Sequence, residues 1–137
     1  MLLKRDTDVA LRILFCLKQN CEKKDTGETR GLTLTQISIQ TGVPKLTAGR
    51  ICDRLMVKGM IYLSREQEQS EKAYYSTEEL GAFSLLDVVE ATERTGKIFD
   101  VFDRSSTMYK HCKERIIKTQ KRTEDVLSKT TLNSFFE

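Results

Sequence analysis

Apolar residues recur at helical spacing over residues 9–17, where Val9, Ile13, Cys16 and Leu17 share one face and Ala10 and Leu14 join it. Asp6, Thr7 and Asp8 stand just before them. Short oxygen-bearing and acidic side chains suit the exposed amides and the positive dipole end of a helix start. Lys18 and Gln19 end this helix, and the polar stretch 20–31 (NCEKKDTGETRG), with its two glycines, predicts a loop. Thr33 or Thr35 then caps a short helix holding Ile37 and Ser38, which Gly42 breaks. Val43-Pro44 opens a second helix, with Pro44 in the first turn, where its missing N–H costs nothing. This helix runs to about Lys58, buries Ala48, Ile51, Cys52 and Leu55, and stops at Gly59. Residues 60–63 (MIYL) read as a strand, 64–72 as a polar loop, and Ala73-Tyr74-Tyr75 as a second short strand. Two strands joined by a polar loop, directly after a helix pair, make a wing.

A further helix is predicted from Ser84, its cap, to about Thr95, with Leu85, Val88, Val89 and Ala91 on its apolar side. Residues 97–106 set Ile98, Phe99, Val101 and Phe102 between charges and receive no element. A long charged helix follows over 107–129, with a heptad-like seam of Tyr109, Cys112, Ile116, Thr119, Thr123, Val126 and Thr130. Three of those seven positions are Thr, which makes a weak coiled-coil seam. A helix pointing away from its own chain buries little against it, so a partner subunit is expected to cover the seam. The expected fold is mainly α: a winged helix-turn-helix domain over residues 1–83 with a short two-stranded wing, then a linker helix and a long C-terminal dimerisation helix over 84–137.

The length of 137 residues suits one compact domain plus an appended element. A net charge of +3 permits a nucleic-acid partner without demanding one. No apolar run approaches the ~20 residues of a membrane span. Met1-Leu2-Leu3 runs straight into Lys4, Arg5, Asp6 and Asp8, with no secretory pattern, so a cytoplasmic protein without membrane contact is expected. The four cysteines, Cys16, Cys21, Cys52 and Cys112, form no C-x-x-C pair and are expected to stay reduced there. Cys16 and Cys52 fall on apolar faces as small buried hydrophobes, whereas Cys21 and Cys112 lie in polar surroundings. A metal-free redox signal through Cys21 or Cys112 stays open, and Lys110, Lys113 and Arg115 around Cys112 favour a thiolate there. No nucleophile elbow, P-loop, zinc-protease or dinucleotide motif is present, and His111 is the single histidine, so no enzyme is expected.

Across residues 34–51 the spacing is that of a DNA-binding helix-turn-helix: Ile37 packs inward, Ser38 is small where two helices approach, and Gly42 supplies a left-handed turn. The second helix then presents Lys45, Leu46, Thr47, Gly49 and Arg50 outward. In a major groove, Lys45 and Arg50 donate to guanine or phosphate, and Thr47 bonds a base or meets a thymine methyl. Arg54 and Lys58, further along, are better placed to neutralise phosphates. The alternative for each is a solvated surface charge. The alternative for the whole is a winged-helix protein-interaction module that no longer binds DNA.

In this order the segments resemble the IscR/NsrR-type family of bacterial winged-helix regulators. TDVALRILFCL (7–17) looks like the T-D-Y-x-L-R start of its nitric-oxide-sensing branch, and LTLTQISIQTGVPKLTAGRICDRLMVKGMI (32–61) covers its helix-turn-helix. FSLLDVVEATE (83–93) resembles the helix after its wing, and KTTLNSF (129–135) is similar to the end of its dimerisation helix. The resemblance implies a homodimer that places recognition helices in successive major grooves of double-stranded DNA, and a regulator, expected to be a repressor, answering an unidentified small-molecule or redox signal. It also implies a wing Arg at the minor groove, and Arg65 stands at that position. The family's R-G-x-x-G-G-Y wing is replaced here by the acidic REQEQSEK (65–72). Cluster-binding members carry three closely spaced cysteines before the dimerisation helix; here the stretch 97–113 holds only Cys112. Asp8 matches an acidic ligand of the nitric-oxide branch, so Asp8 and Cys112, with His111, are the metal candidates. One thiolate is too few for an iron–sulfur cluster, and a cofactor-free member is expected.

Overall fold

The computed structural model of the chain describes residues 5–22, 31–64, 72–93 and 107–137. At its centre lies α1 (Arg5–Glu22), longer at both ends than its apolar stripe. Val9, Ala10, Leu11, Ile13, Leu14 and Leu17 are all buried, because the helix is packed by several others. Thr7 is also buried, and its hydroxyl lies 2.8 Å from that of Thr92. The predicted helix start is therefore already inside the helix, and Thr7 acts there as an interior anchor.

Next, α2 (Leu34–Thr41) begins at Thr33, not Thr35, through a reciprocal cap. Thr33 Oγ1 accepts from the Gln36 amide at 3.2 Å, and Gln36 Oε1 accepts from the Thr33 amide at 2.9 Å. Gly42 ends α2 at φ +72°, its amide donating to the Ser38 carbonyl at 3.0 Å, while Ser38 Oγ donates to the Val43 carbonyl at 2.6 Å. An added Cβ at Gly42 meets nothing within 4 Å, so backbone conformation alone resists a side chain there. Gly42→Ala is expected to lose about 1–2 kcal/mol of stability, read as a lower thermal midpoint with unchanged helix content. A loss near zero would mean that the turn does not need its left-handed residue.

Pro44 turns out to be the residue before α3 (Lys45–Val57), extended at ψ 140°, and the helix proper starts at Lys45. Ala48, Ile51, Cys52 and Leu55 are buried on its inner face, and Gly59 turns the chain at φ +76°. The strands β2 (Ile61–Ser64) and β3 (Ala73–Ser76) are antiparallel, with Tyr62 opposite Tyr75 and their rings stacked at 5.3 Å. The sheet has three strands rather than two. A two-residue strand, β1 (Leu32–Thr33), pairs with β3 and puts β3 in the middle. The residue before it is glycine for a steric reason: a Cβ on Gly31 would fall 2.6 Å from the Tyr75 ring.

A single 3-10 turn (Leu80–Ala82) leads into α4 (Leu85–Thr92), capped by Ser84 and Asp87 in the same reciprocal way as α2. The last long helix, α5 (Thr107–Lys129), has the predicted limits, but its end docks onto its own chain. Leu127 is buried in the core, the Leu85 amide donates to the Thr130 carbonyl at 2.9 Å, and the Leu132 amide donates to the Phe83 carbonyl at 2.8 Å. A short α6 (Leu132–Phe136), absent from the sequence prediction, follows; Leu132 is fully buried, and Phe136 packs on Phe15 at 5.2 Å. The chain is mainly helical, with the winged-helix arrangement of a helix pair and small antiparallel sheet. Among the described residues no helix is long and apolar enough to cross a membrane. Arg65 and the wing tip, residues 94–106, and the side chains of Cys21, Tyr109 and His111 lie outside the described set.

Candidate nucleic-acid interface

The turn at Gly42 and the extended Pro44 aim the start of α3 outward, while its inner face is fixed by the core. Lys45, Leu46 and Arg50 are exposed, Leu46 by 89%, and Thr47 is half-buried beside them. A leucine that exposed in the first turn of a packed helix keeps an apolar surface at the outer face. Between this face and the side chains of Leu34 and Tyr74 runs an open hollow of about 980 Å³. Gly49 forms part of its wall, and Asp53 adds one acid to it.

The basic residues of α3 are not equivalent. Arg50 grips Asp6 with two parallel bonds, Nη1 to Oδ2 at 3.1 Å and Nη2 to Oδ1 at 3.0 Å. The Arg50 hydrogen bond holds the Asp6 carboxyl below its ordinary range, with Arg54 and Arg5 assisting through their charge, against a partial opposition from burial. The same hydrogen bond raises Arg50. Asp6 is therefore anionic at neutral pH, and the pairing is weakened only as pH falls below the usual carboxylate range. Arg54 turns inward: its Nη1 donates to the Thr92 carbonyl at 2.7 Å and reaches Asp6 at 3.4 Å. Lys58 Nζ sits 3.3 Å from Glu90 Oε2, with both side chains well exposed. Such a surface pair is worth little and exchanges readily for another anion.

The structure thus groups Lys45, Thr47 and Arg50 on one exposed face, sets Lys58 at its far end, and draws Arg54 into an internal network. Asp6, which the sequence reading took only as a helix-start acid, is the residue it missed. Its partner lies 44 positions away, and no local signal marks the pair.

Of the metal candidates, the side chain of His111 lies outside the described residues. Asp8 pairs with Arg12 at 3.2 Å in an exposed contact, and Cys112 is exposed on α5. One thiolate does not supply the ligands of an iron–sulfur cluster. Among the described residues no three His, Cys, Asp or Glu side chains converge as a metal cage. Cys52 is buried as expected, and burial, with a lesser push from Asp53, drives its thiol up to about 12, so it is unreactive. Cys16 is half-buried rather than buried, and its thiol donates to Gln40 Oε1 at 3.0 Å.

No protein-family model and no curated relative matches the chain. Solved structures do. CymR (YrzC), the global cysteine regulator of B. subtilis, superposes with a TM-score of 0.73 at 15% identity, over 99% of this chain and 96% of that one. CymR of Staphylococcus aureus gives 0.69 at 18% identity, over 98% and 97%. T. potens IscR gives 0.68 at 16% identity, over 98% of this chain and 85% of its own. At these identities the likeness establishes the fold, and that fold is the one CymR and IscR share.

Proposed function

We propose that the chain is an IscR/NsrR-type regulator that binds double-stranded DNA sequence-specifically as a homodimer and represses transcription, with no catalytic activity of its own. The observation that carries this reading is the exposed start of α3. Lys45, Leu46, Thr47 and Arg50 project from a helix whose other face is locked in the core, on the fold of CymR, a protein itself named as a regulator. A helix so mounted enters a major groove with its first turns against base edges. Lys45, Thr47 and Arg50 read bases, and Lys58 exchanges Glu90 for a phosphate. Arg65 carries the wing contact to the minor groove, where a narrow A·T-rich groove attracts a cation. Residues 1–83 read DNA and 84–137 join the two protomers.

Selection of bound duplexes from a random pool tests this. The expected product is a pseudo-palindrome with half-sites about one helical turn (~10 bp) apart or a multiple of it. Thr47→Ala is expected to cost roughly 1–3 kcal/mol at one or two positions, and Lys58→Ala to weaken all duplexes about equally. A pool that never enriches sinks the reading. The exposed Leu46 (89%) and Ile39 (77%) would then favour the second reading, a protein-interaction module.

A further inference from the structure

We propose that Asp6 is a positioning residue for base reading: its carboxylate holds one end of the Arg50 guanidinium, so that the remaining edge meets a base, and this sets a guanine preference in each half-site. The inference rests on the DNA-binding reading above. Asp6 accepts one hydrogen from each terminal nitrogen of Arg50, at 3.1 and 3.0 Å. A guanidinium has five N–H donors in a rigid plane, and an end-on carboxylate uses two. The edge formed by Nε and Nη2 keeps two parallel donors, the pair that matches O6 and N7 of guanine. The Arg50 side chain is 47% exposed, so its guanidinium is reachable from outside rather than enclosed in the core.

The carboxylate is itself firmly seated. Asp6 belongs to the first turn of α1, which packs directly on α3. The next residue, Thr7, is buried and bonded to Thr92. From the other side Arg54 reaches Asp6 while anchored on the Thr92 carbonyl. Three helices therefore converge beneath one acid. A free arginine samples many rotamers and must be ordered on binding; one held at its end has less freedom to lose. An acid beside a phosphate backbone also repels DNA of any sequence. Asp6 thus lowers general attraction while sharpening recognition, which widens the gap between right and wrong sites.

These two effects have opposite signs, and Asp6→Asn in the full-length protein separates them. Binding to the selected duplex is expected to weaken roughly tenfold, with the guanine preference flattened at one position per half-site and the rest of the motif unchanged. Binding to a random duplex of equal length is expected to tighten, because a negative charge leaves each protomer. Arg50→Lys, which keeps the charge and loses the fork, is expected to flatten the same position. Asp6→Glu, which keeps the charge and shifts the carboxylate, is expected to flatten that position too, and serves if Asp6→Asn melts early. A parallel shift on both duplexes would show plain electrostatics or lost stability and overturn the proposal, as would an unaltered motif in Arg50→Lys. A wild-type protein with no preference among duplexes would instead refute the DNA reading itself.

Discussion

Glutamate at both Ile116 and Val126 is expected to leave the protein monomeric and to weaken its binding to a selected duplex by roughly 100-fold or more, since a linked pair of weak half-site contacts gains about that much over one. Val126 is 64% exposed although apolar, and Ile116 is half-buried. Ile116, Thr119, Thr123 and Val126 recur at intervals of three and four and line one stripe of α5. Leu127, next to Val126 but rotated about 100° around the helix, is buried within the protomer. α5 therefore has two faces, one docked on its own chain through Leu127 and one that carries the exposed Val126. Sedimentation of the wild type is expected to show a dimer at micromolar concentration, and a monomer there would refute the assignment. Leu127→Ala serves as the contrast. It is expected to cost about 2–5 kcal/mol of folding stability, seen as a lower melting temperature, whereas the two glutamates, away from Leu127, are expected to leave the folded protomer intact.

What could be read along the chain was what residues decide within a few positions of one another. The reciprocal caps at Thr33 and Gln36 and at Ser84 and Asp87 span three residues, and Gly42 marks its turn alone. These punctuate the helix pair and α4, and the long charged pattern bounded α5. What escaped depends on distant partners. β1 is two residues long, too short for alternation to show, and exists because Leu32 and Thr33 meet Tyr74 and Ala73 about forty positions on. α6 exists because Leu132 finds the core and the Phe83 carbonyl. Thr7 carried the side chain of a good cap, but burial against Thr92 overrode that propensity. The basic stripe of α3 was legible from helical spacing. Its sorting into an outward Arg50 and an inward Arg54 was not, because Asp6, Thr92 and Glu90 come from other helices.

That sorting gives the two arginines of α3 different consequences. Arg54→Met, which keeps the apolar stem and removes the guanidinium, is expected to destabilise the fold by about 1.5–3 kcal/mol, the usual worth of a hydrogen bond to a charged group. The Thr92 carbonyl loses its 2.7 Å donor at the end of α4, and Asp6 loses one of the two arginines bonded to it. The salt dependence of DNA binding is expected to keep its slope, because a side chain engaged with Thr92 does not displace counterions from a phosphate. Were Arg54 a phosphate ligand, as its place along the helix first suggested, the reverse would be seen: the slope would fall by roughly one unit per protomer and the melting temperature would hold. Arg50→Ala completes the comparison. Its partner Asp6 stays part-exposed and keeps Arg54, so stability is expected to change little, while binding to the selected duplex falls by roughly 1–3 kcal/mol. An Arg54→Met protein that melts with the wild type while its salt slope drops would return Arg54 to the interface and leave Asp6 seated by Arg50 alone.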